Sequence, residues 1–319
     1  MDGKFNDEIK VLGYGNLSKL ESMMDRHLLS QLEQVSDELT QEPRTICDLN
    51  DYILSEEYTH VIVPDENFHV LDDTFDKCVA PVTELLLDHL VPWAIERKKE
   101  YMSNNKISHA FVFSERFHEP YKGVANFHPV LCGFDTSIFL NQGVERDIDV
   151  LIHGSLGEDT NKSVYPVRNW LSQVLPKIGE QEGLKIDALE HPGYFPDSNI
   201  NHQKKYSQIL NRSKIATGGS SHWRLPLKKF YEVPACGTIL LSDLPMEDIN
   251  FFKGRILEVN PKRITSKRYA DVLRRMIMDT LENYEKVKEE FQPFRSKQDK
   301  FDRSYQGRGL EMRAILKGI

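Results

Sequence analysis

The sequence lacks a long apolar run. Stretches such as Glu84 to Ala94 are broken by Asp88, His89 and Pro92, far short of the roughly 20 apolar residues that a membrane-spanning helix needs, so no span is expected. Cysteine is sparse. Cys47, Cys78, Cys132 and Cys236 form no C-x-x-C pair and have no histidine companions at zinc spacing, which argues against a zinc site or a disulfide framework and for free thiols. Positive charge is in deficit, with 41 Lys and Arg against 49 Asp and Glu for a net charge of -8. That balance repels a polyanion unless basic residues gather locally, so nucleic acid is disfavoured as a partner. The opening Met1-Asp2-Gly3-Lys4 lacks the apolar core of a secretory signal, and a cytoplasmic location is the expectation.

What is present fits a folded, two-domain chain. Its 319 residues exceed the usual size of one core, and 39% hydrophobic with 28% charged residues lies far from the composition of disorder. The first part alternates strands and helices. Ile9 to Leu12 reads as a strand followed by Gly13-Tyr14-Gly15, a loop or tight turn, and Leu17 to Val35 carries apolar residues at helical spacing. His60 to Pro64 is a second strand, with Asp65, Glu66 and His69 beyond its carboxyl end. A helical region over 73–103, divided by Pro81 and Pro92, leads to a third strand at His109 to Phe113. Residues 114–146 show little periodicity and hold the domain boundary.

The alternation restarts at Asp147. A strand to His153 ends in Gly154-Ser155-Leu156-Gly157, and a helix over 162–178 follows. Further strands are expected at 184–189, 214–217, 238–241 and 255–259, with helices at 203–212, 224–236 and 266–291. This order predicts an α/β fold of two Rossmann-like domains facing across a cleft, the first over 1–143 and the second over 147–303, with a terminal helix over 304–319.

The most informative stretch runs from Gly218 to Asp243. It reads as Gly218-Gly219-Ser220-Ser221, then a helix containing Arg224 and Glu232, then Gly237 and an apolar strand. Small residues let a backbone approach a ligand, and free N–H groups at a helix start favour phosphate. Glu232 follows Arg224 by about two helical turns, so a single helix would present both on one face. A carboxylate suits the paired hydroxyls of a ribose, and a guanidinium suits phosphate. Lys228 and Lys229 read first as a solvated helix face. Arg168 serves equally to tie its own helix down or to touch phosphate, and Gly154 and Ser155 sit where a donor would pass.

Phe230-Tyr231-Glu232-x-Pro234-Ala235-Cys236-Gly237, followed by an apolar strand and Asp243, is similar to the donor-domain segment of B-type glycosyltransferases. It resembles most the spore-maturation-protein-like members, whose basic residues also precede this segment. The resemblance extends from about Asp147 to the C-terminus and implies several things. Glu232 would bind the ribose of a nucleoside diphosphate sugar, and the terminal helix would cross back to the N-terminal domain. Arg224 occupies the place where retaining members carry a first glutamate, so the stereochemical outcome stays open.

The function expected from these readings is transfer of a sugar from a nucleotide sugar to a glycan, lipid or small-molecule acceptor. Arg224 would stabilise the departing diphosphate and Asp65 would act as general base. Gly154, Ser155, Gly218, Gly219, Ser220, Ser221 and Glu232 would bind the donor. No D-x-D segment lies near the donor motif, and neither a cofactor nor a metal is expected. The alternatives are a nucleotide-sugar epimerase or hydrolase of the same fold, and a non-catalytic nucleotide-sugar-binding protein.

Overall fold

The computed structural model describes residues 9–22, 27–64, 71–72, 74–86, 92–114, 121–155, 164–189, 199–266 and 268–319. It divides into two compact units, one made of Met1–Gly133 with Tyr305–Ile319 and the other of Phe134–Ser304.

Unit 1 is built on a six-stranded sheet in the order β2-β1-β3-β4-β5-β6. Its strands are β1 (Val11–Tyr14), β2 (Glu38–Thr40), β3 (His60–Pro64), β4 (Val82–Leu85), β5 (His109–Val112) and β6 (Asn126–Pro129). Every pairing is parallel. The described helices before the boundary are α1 (Leu17–Ser22), α2 (His27–Val35), α3 (Ile46–Ser55) and α4 (Pro92–Asn104). β1, β3 and β4 are buried along their whole length, as expected for a parallel sheet covered on both faces. One face packs Leu12, Val61, Val82 and Ala110 with Leu49, Ile53 and Met102. The other packs Val11, Ile62, Leu85 and Phe111 with Leu29, Leu32, Met312 and Leu316.

The last two residues belong to the C-terminal helix, Tyr305–Leu316, which lies on α2. Arg313, 1% exposed, fixes it. Its guanidinium donates to the carbonyls of Val35 and Ile9, both at 2.9 Å, and to Asp37 Oδ2 at 3.0 Å. Gly309 permits the approach, because a Cβ there would stand 2.6 Å from the Gln34 carbonyl oxygen.

Unit 2 carries a five-stranded sheet in the order β11-β10-β9-β7-β8, again wholly parallel. The strands are β7 (Ile148–His153), β8 (Ile186–Leu189), β9 (Ser213–Thr217), β10 (Ile239–Ser242) and β11 (Leu257–Glu258). Three helices position the site described below: α5 (Pro166–Glu182), α6 (Asn199–Arg212) and α7 (Lys229–Ala235). Pro166 opens α5 where a missing N–H costs nothing, and Gly183, at φ 68°, closes it. Arg146 ties the amino ends of the strands together through the carbonyls of Leu210, Ser213 and Cys236 and the Thr238 hydroxyl.

The α/β class and the two parallel sheets agree with the sequence reading, but several elements do not. Residues 73–103 contain β4 and not one divided helix. Pro81 removes a helix donor, and Val82-Thr83-Glu84-Leu85 after it is too short to carry a helical period. β2 and β6 pair at the two edges of the unit 1 sheet, where short and partly polar segments leave little trace in a pattern. Gly13 and Tyr14 are strand residues and not a loop. A Cβ at Gly13 would run into the side chains of Leu39 and Ser36.

Candidate functional site

In unit 2 the expected helix over 224–236 is shorter: α7 begins at Lys229. Pro226 disfavours helical geometry in the residue before it, and both Ser221, at φ 59°, and Arg224, at φ 61°, adopt left-handed backbone. Arg224 and Glu232 therefore do not share one helix, and Gly218–Ser221 does not run into a helix start. The segment folds as a fastened loop. The N–H of Leu225 donates to the Ser220 carbonyl at 2.6 Å, and that of His222 donates to the Val164 carbonyl at 2.7 Å. Arg224 Nη2 donates to the Leu244 carbonyl at 2.6 Å, while the Arg224 carbonyl accepts the Met246 N–H at 2.8 Å.

Ser220 anchors the middle of this loop. Its N–H donates to Asp243 Oδ1 at 3.0 Å and its hydroxyl donates to Asp243 Oδ2. Burial pushes the Asp243 carboxyl above the usual range, against the pull of the Ser220 hydrogen bonds. Gly218 lies against the neighbouring strand, where a Cβ would come within 2.9 Å of Leu240 Cδ1. At Gly219 a Cβ would stand 3.3 Å from Arg168 Cβ, so the loop after β9 abuts α5.

The charged groups gather beyond the carboxyl end of β7. Gly154 has φ 100°, and a Cβ there would lie 3.0 Å from Arg168 Nη1 and 3.2 Å from Lys229 Cε. Two cations, from α5 and from the first residue of α7, thus reach the same glycine. Each also lies against an aromatic ring. The Arg168 guanidinium is 4.0 Å from the Tyr165 ring centre, and the Lys229 ammonium is 5.0 Å from that of Tyr206. Glu232, buried on α7 at 6% exposure, is near enough to Tyr206 that its charge helps burial to raise the phenol's pKa well above 10.0.

Beneath these groups lies His153, the last residue of β7. Its Nδ1 shares a hydrogen bond of 3.2 Å with the Tyr206 hydroxyl. Burial first, and then the charges of Lys229 and Arg168, hold the imidazole well below its ordinary pKa, so it is neutral. His202, on α6, is lowered by burial and by the same Lys229 charge. The arrangement is an electropositive crown over small backbone, which suits an anion, with one buried carboxylate beside it for hydroxyl donors.

No family model matches this chain, and no curated protein matches it. Solved structures share its architecture. Anabaena Alr3699/HepE, in complex with UDP and glucose, is 12% identical and has a TM-score of 0.55, over 98% of this chain and 100% of that one. A glycosyltransferase from Rickettsia africae is 10% identical with a TM-score of 0.56, over 98% of each chain. WaaG, a glycosyltransferase involved in lipopolysaccharide biosynthesis, is 8% identical with a TM-score of 0.52, over 97% and 100%. This chain has the B-type glycosyltransferase fold.

In parallel sheets of this kind ligands collect outside the carboxyl ends of the strands, the edge on which Gly154, Ser155, Gly218, Gly219, Ser220 and Ser221 stand. Of the residues selected from sequence, the structure brings Gly154 and Gly219 to Arg168, and Glu232 to Tyr206. Arg224 is not among the cations at Gly154, because its guanidinium is turned toward Leu244. Asp65, with Glu66 and His69, lies outside the described residues, as do Leu156 and Gly157. Sequence reasoning set Lys229 aside and passed over His153 and Tyr206. A signal for Lys229 existed in its spacing, three residues before Glu232 in the segment already singled out, whereas His153 and Tyr206 meet only through tertiary packing. No described helix is long and apolar enough to cross a membrane.

Proposed function

We propose that this chain is a glycosyltransferase that moves a sugar from a nucleoside diphosphate sugar to an acceptor hydroxyl, with unit 2 holding the donor. The observation that carries the reading is the convergence of Arg168 and Lys229 on Gly154, beside the buried Glu232. The two cations bind the diphosphate, Glu232 accepts from the ribose hydroxyls, and Gly154, Ser155 and Gly218–Ser221 admit the donor closely. Transfer breaks the bond between the anomeric carbon and the β-phosphate oxygen and forms one to the acceptor oxygen, whose proton passes to a base. Asp65 is the candidate for that base. The leaving diphosphate gains negative charge as the bond breaks, and fixed cations stabilise that charge most in the transition state. Their presence gives the donor charge neutralisation without a metal cofactor.

The neighbours support the choice of ligand, since HepE was solved with UDP and with UDP-glucose. The acceptor is a glycan, lipid or small molecule, and a cytoplasmic location suits a nucleotide-sugar donor. The test is a thermal-shift panel of uridine, guanosine, adenosine and thymidine diphosphates and their sugars, followed by release of nucleoside diphosphate with candidate acceptors. A ligand at a hundred times its Kd stabilises the folded state by about 2.7 kcal/mol. Stabilisation by one nucleotide series with acceptor-dependent release supports transfer. Release without an acceptor points to the hydrolase alternative, and no stabilisation by any nucleotide overturns the reading.

A further inference from the structure

Lysine is a poor fixed charge. Its flexible stem has many rotamers to lose, and a site that uses it for precise contact must restrain it. Around Lys229 the restraint is visible. Its ammonium lies 5.0 Å from the Tyr206 ring centre, within the range in which a cation is drawn to an aromatic face. That ring is held in turn. Tyr206 is 7% exposed on α6, its hydroxyl bonds His153 Nδ1 at 3.2 Å, and the two rings are 5.0 Å apart. His153 immediately precedes Gly154, the residue at which Lys229 and Arg168 meet. The end of β7 therefore fixes both the floor of the site and, through His153 and Tyr206, the cation above it.

We infer that Tyr206 is a positioning residue that aims Lys229 at the phosphate portion of the bound nucleotide. This rests on the donor-site reading above. It goes further in assigning the phosphate contribution to a residue that need not touch the ligand. Preorganising one cation lowers the ordering cost at binding, so the effect falls on phosphate and leaves the nucleoside untouched.

The experiment compares binding of UDP and of uridine by calorimetry to the full chain and to the variants Tyr206→Leu, Tyr206→Phe and Lys229→Met. Tyr206→Leu should weaken UDP roughly tenfold and leave uridine unchanged. Tyr206→Phe keeps the ring, so it should stay within about threefold of wild type for UDP while its melting temperature falls from the lost His153 bond. Lys229→Met should weaken UDP at least as much, and adding Tyr206→Leu to it should cost nothing more. Equal losses for UDP and uridine in Tyr206→Leu, or additive losses in the double variant, would overturn the inference and leave Tyr206 a packing residue. Tyr206→Met provides an unbranched second replacement should the leucine variant not fold, and it is judged by the same two comparisons. If wild type binds UDP no better than uridine and Lys229→Met changes neither, the donor-site reading itself fails, an outcome distinct from a loss shared equally by both ligands.

Discussion

Gly154→Ala separates the backbone and ligand roles of the β7 terminus. At φ 100° any L side chain is strained, and such conformations cost about 1–3 kcal/mol when a non-glycine residue is forced into them. The new methyl would also stand 3.0 Å from Arg168 Nη1 and 3.2 Å from Lys229 Cε. Both are ends of flexible side chains, so they yield by a few tenths of an ångström and do not unseat the fold. For a unit of this size each kcal/mol moves the melting temperature by roughly 2–4 °C, which predicts a fall of about 2–12 °C. Displacing both cations from the anion they share should also weaken UDP by about tenfold or more, since contacts to charged groups are worth about 1.5–3 kcal/mol. The assay is a thermal melt with and without UDP, with calorimetry at a fixed salt concentration. A variant that loses stability but binds UDP as tightly as wild type would refute the claim that Arg168 and Lys229 serve the ligand at Gly154.

Other outcomes follow from the same geometry. Glu232→Ala should weaken nucleoside diphosphates by about 1.5–3 kcal/mol and leave free phosphate binding unaltered, as read by calorimetry. Asp243→Asn should flatten the dependence of stability on pH. The folded carboxyl has a raised pKa, so wild type loses stability as pH rises through that value, and the neutral amide has no such loss; denaturant titrations between pH 4 and 8 measure the difference. His153 titrates in the opposite sense. Its folded pKa is depressed, so wild type loses stability as pH falls below about 6.5, and His153→Gln should flatten that slope in an acid titration of unit 2. Arg313→Ala removes the donor shared by Asp37 and two carbonyls, while Asp37 keeps the Val11 N–H; it should cost unit 1 about 1.5–3 kcal/mol, and UDP binding by the folded protein persists.

Much of unit 2 was legible because its signals are local. β7, with Ile148, Val150 and Ile152 in one run, and the segment from Phe230 to Gly237 with its strand are written in consecutive residues. The spacing of Arg224 to Glu232 satisfies a helical period although α7 begins only at Lys229, and Pro226, two residues after Arg224, carries the contrary signal. A lysine on a helix is ordinarily solvated, and nothing in the sequence around Lys229 shows that Tyr206 and Gly154 lie beside it. In unit 1 the central strand β4 leaves no strand pattern in the sequence, because Val82-Thr83-Glu84-Leu85 buries a threonine and a glutamate where a buried parallel strand ordinarily carries apolar residues. β2 and β6 escaped because edge strands need only backbone partners.

The make-up of unit 1 imposes an order on biosynthesis. Its α2 face is covered by a helix that begins at Tyr305, after the whole of unit 2 has been translated. Until then Leu29, Leu32 and the sheet residues packed with them lack Met312 and Leu316, and the carboxylate of Asp37 lacks Arg313. A ribosome stalled anywhere within unit 2 holds a nascent unit 1 with an open apolar flank, the kind of surface that recruits chaperones and proteases. Closing it requires the chain to return across the length of unit 2, at an entropic cost that grows only slowly with that length. A unit 2 that has already folded shortens the effective loop. A stop codon before Tyr305 would therefore yield a unit 1 without part of its core even though every strand of its sheet had been made.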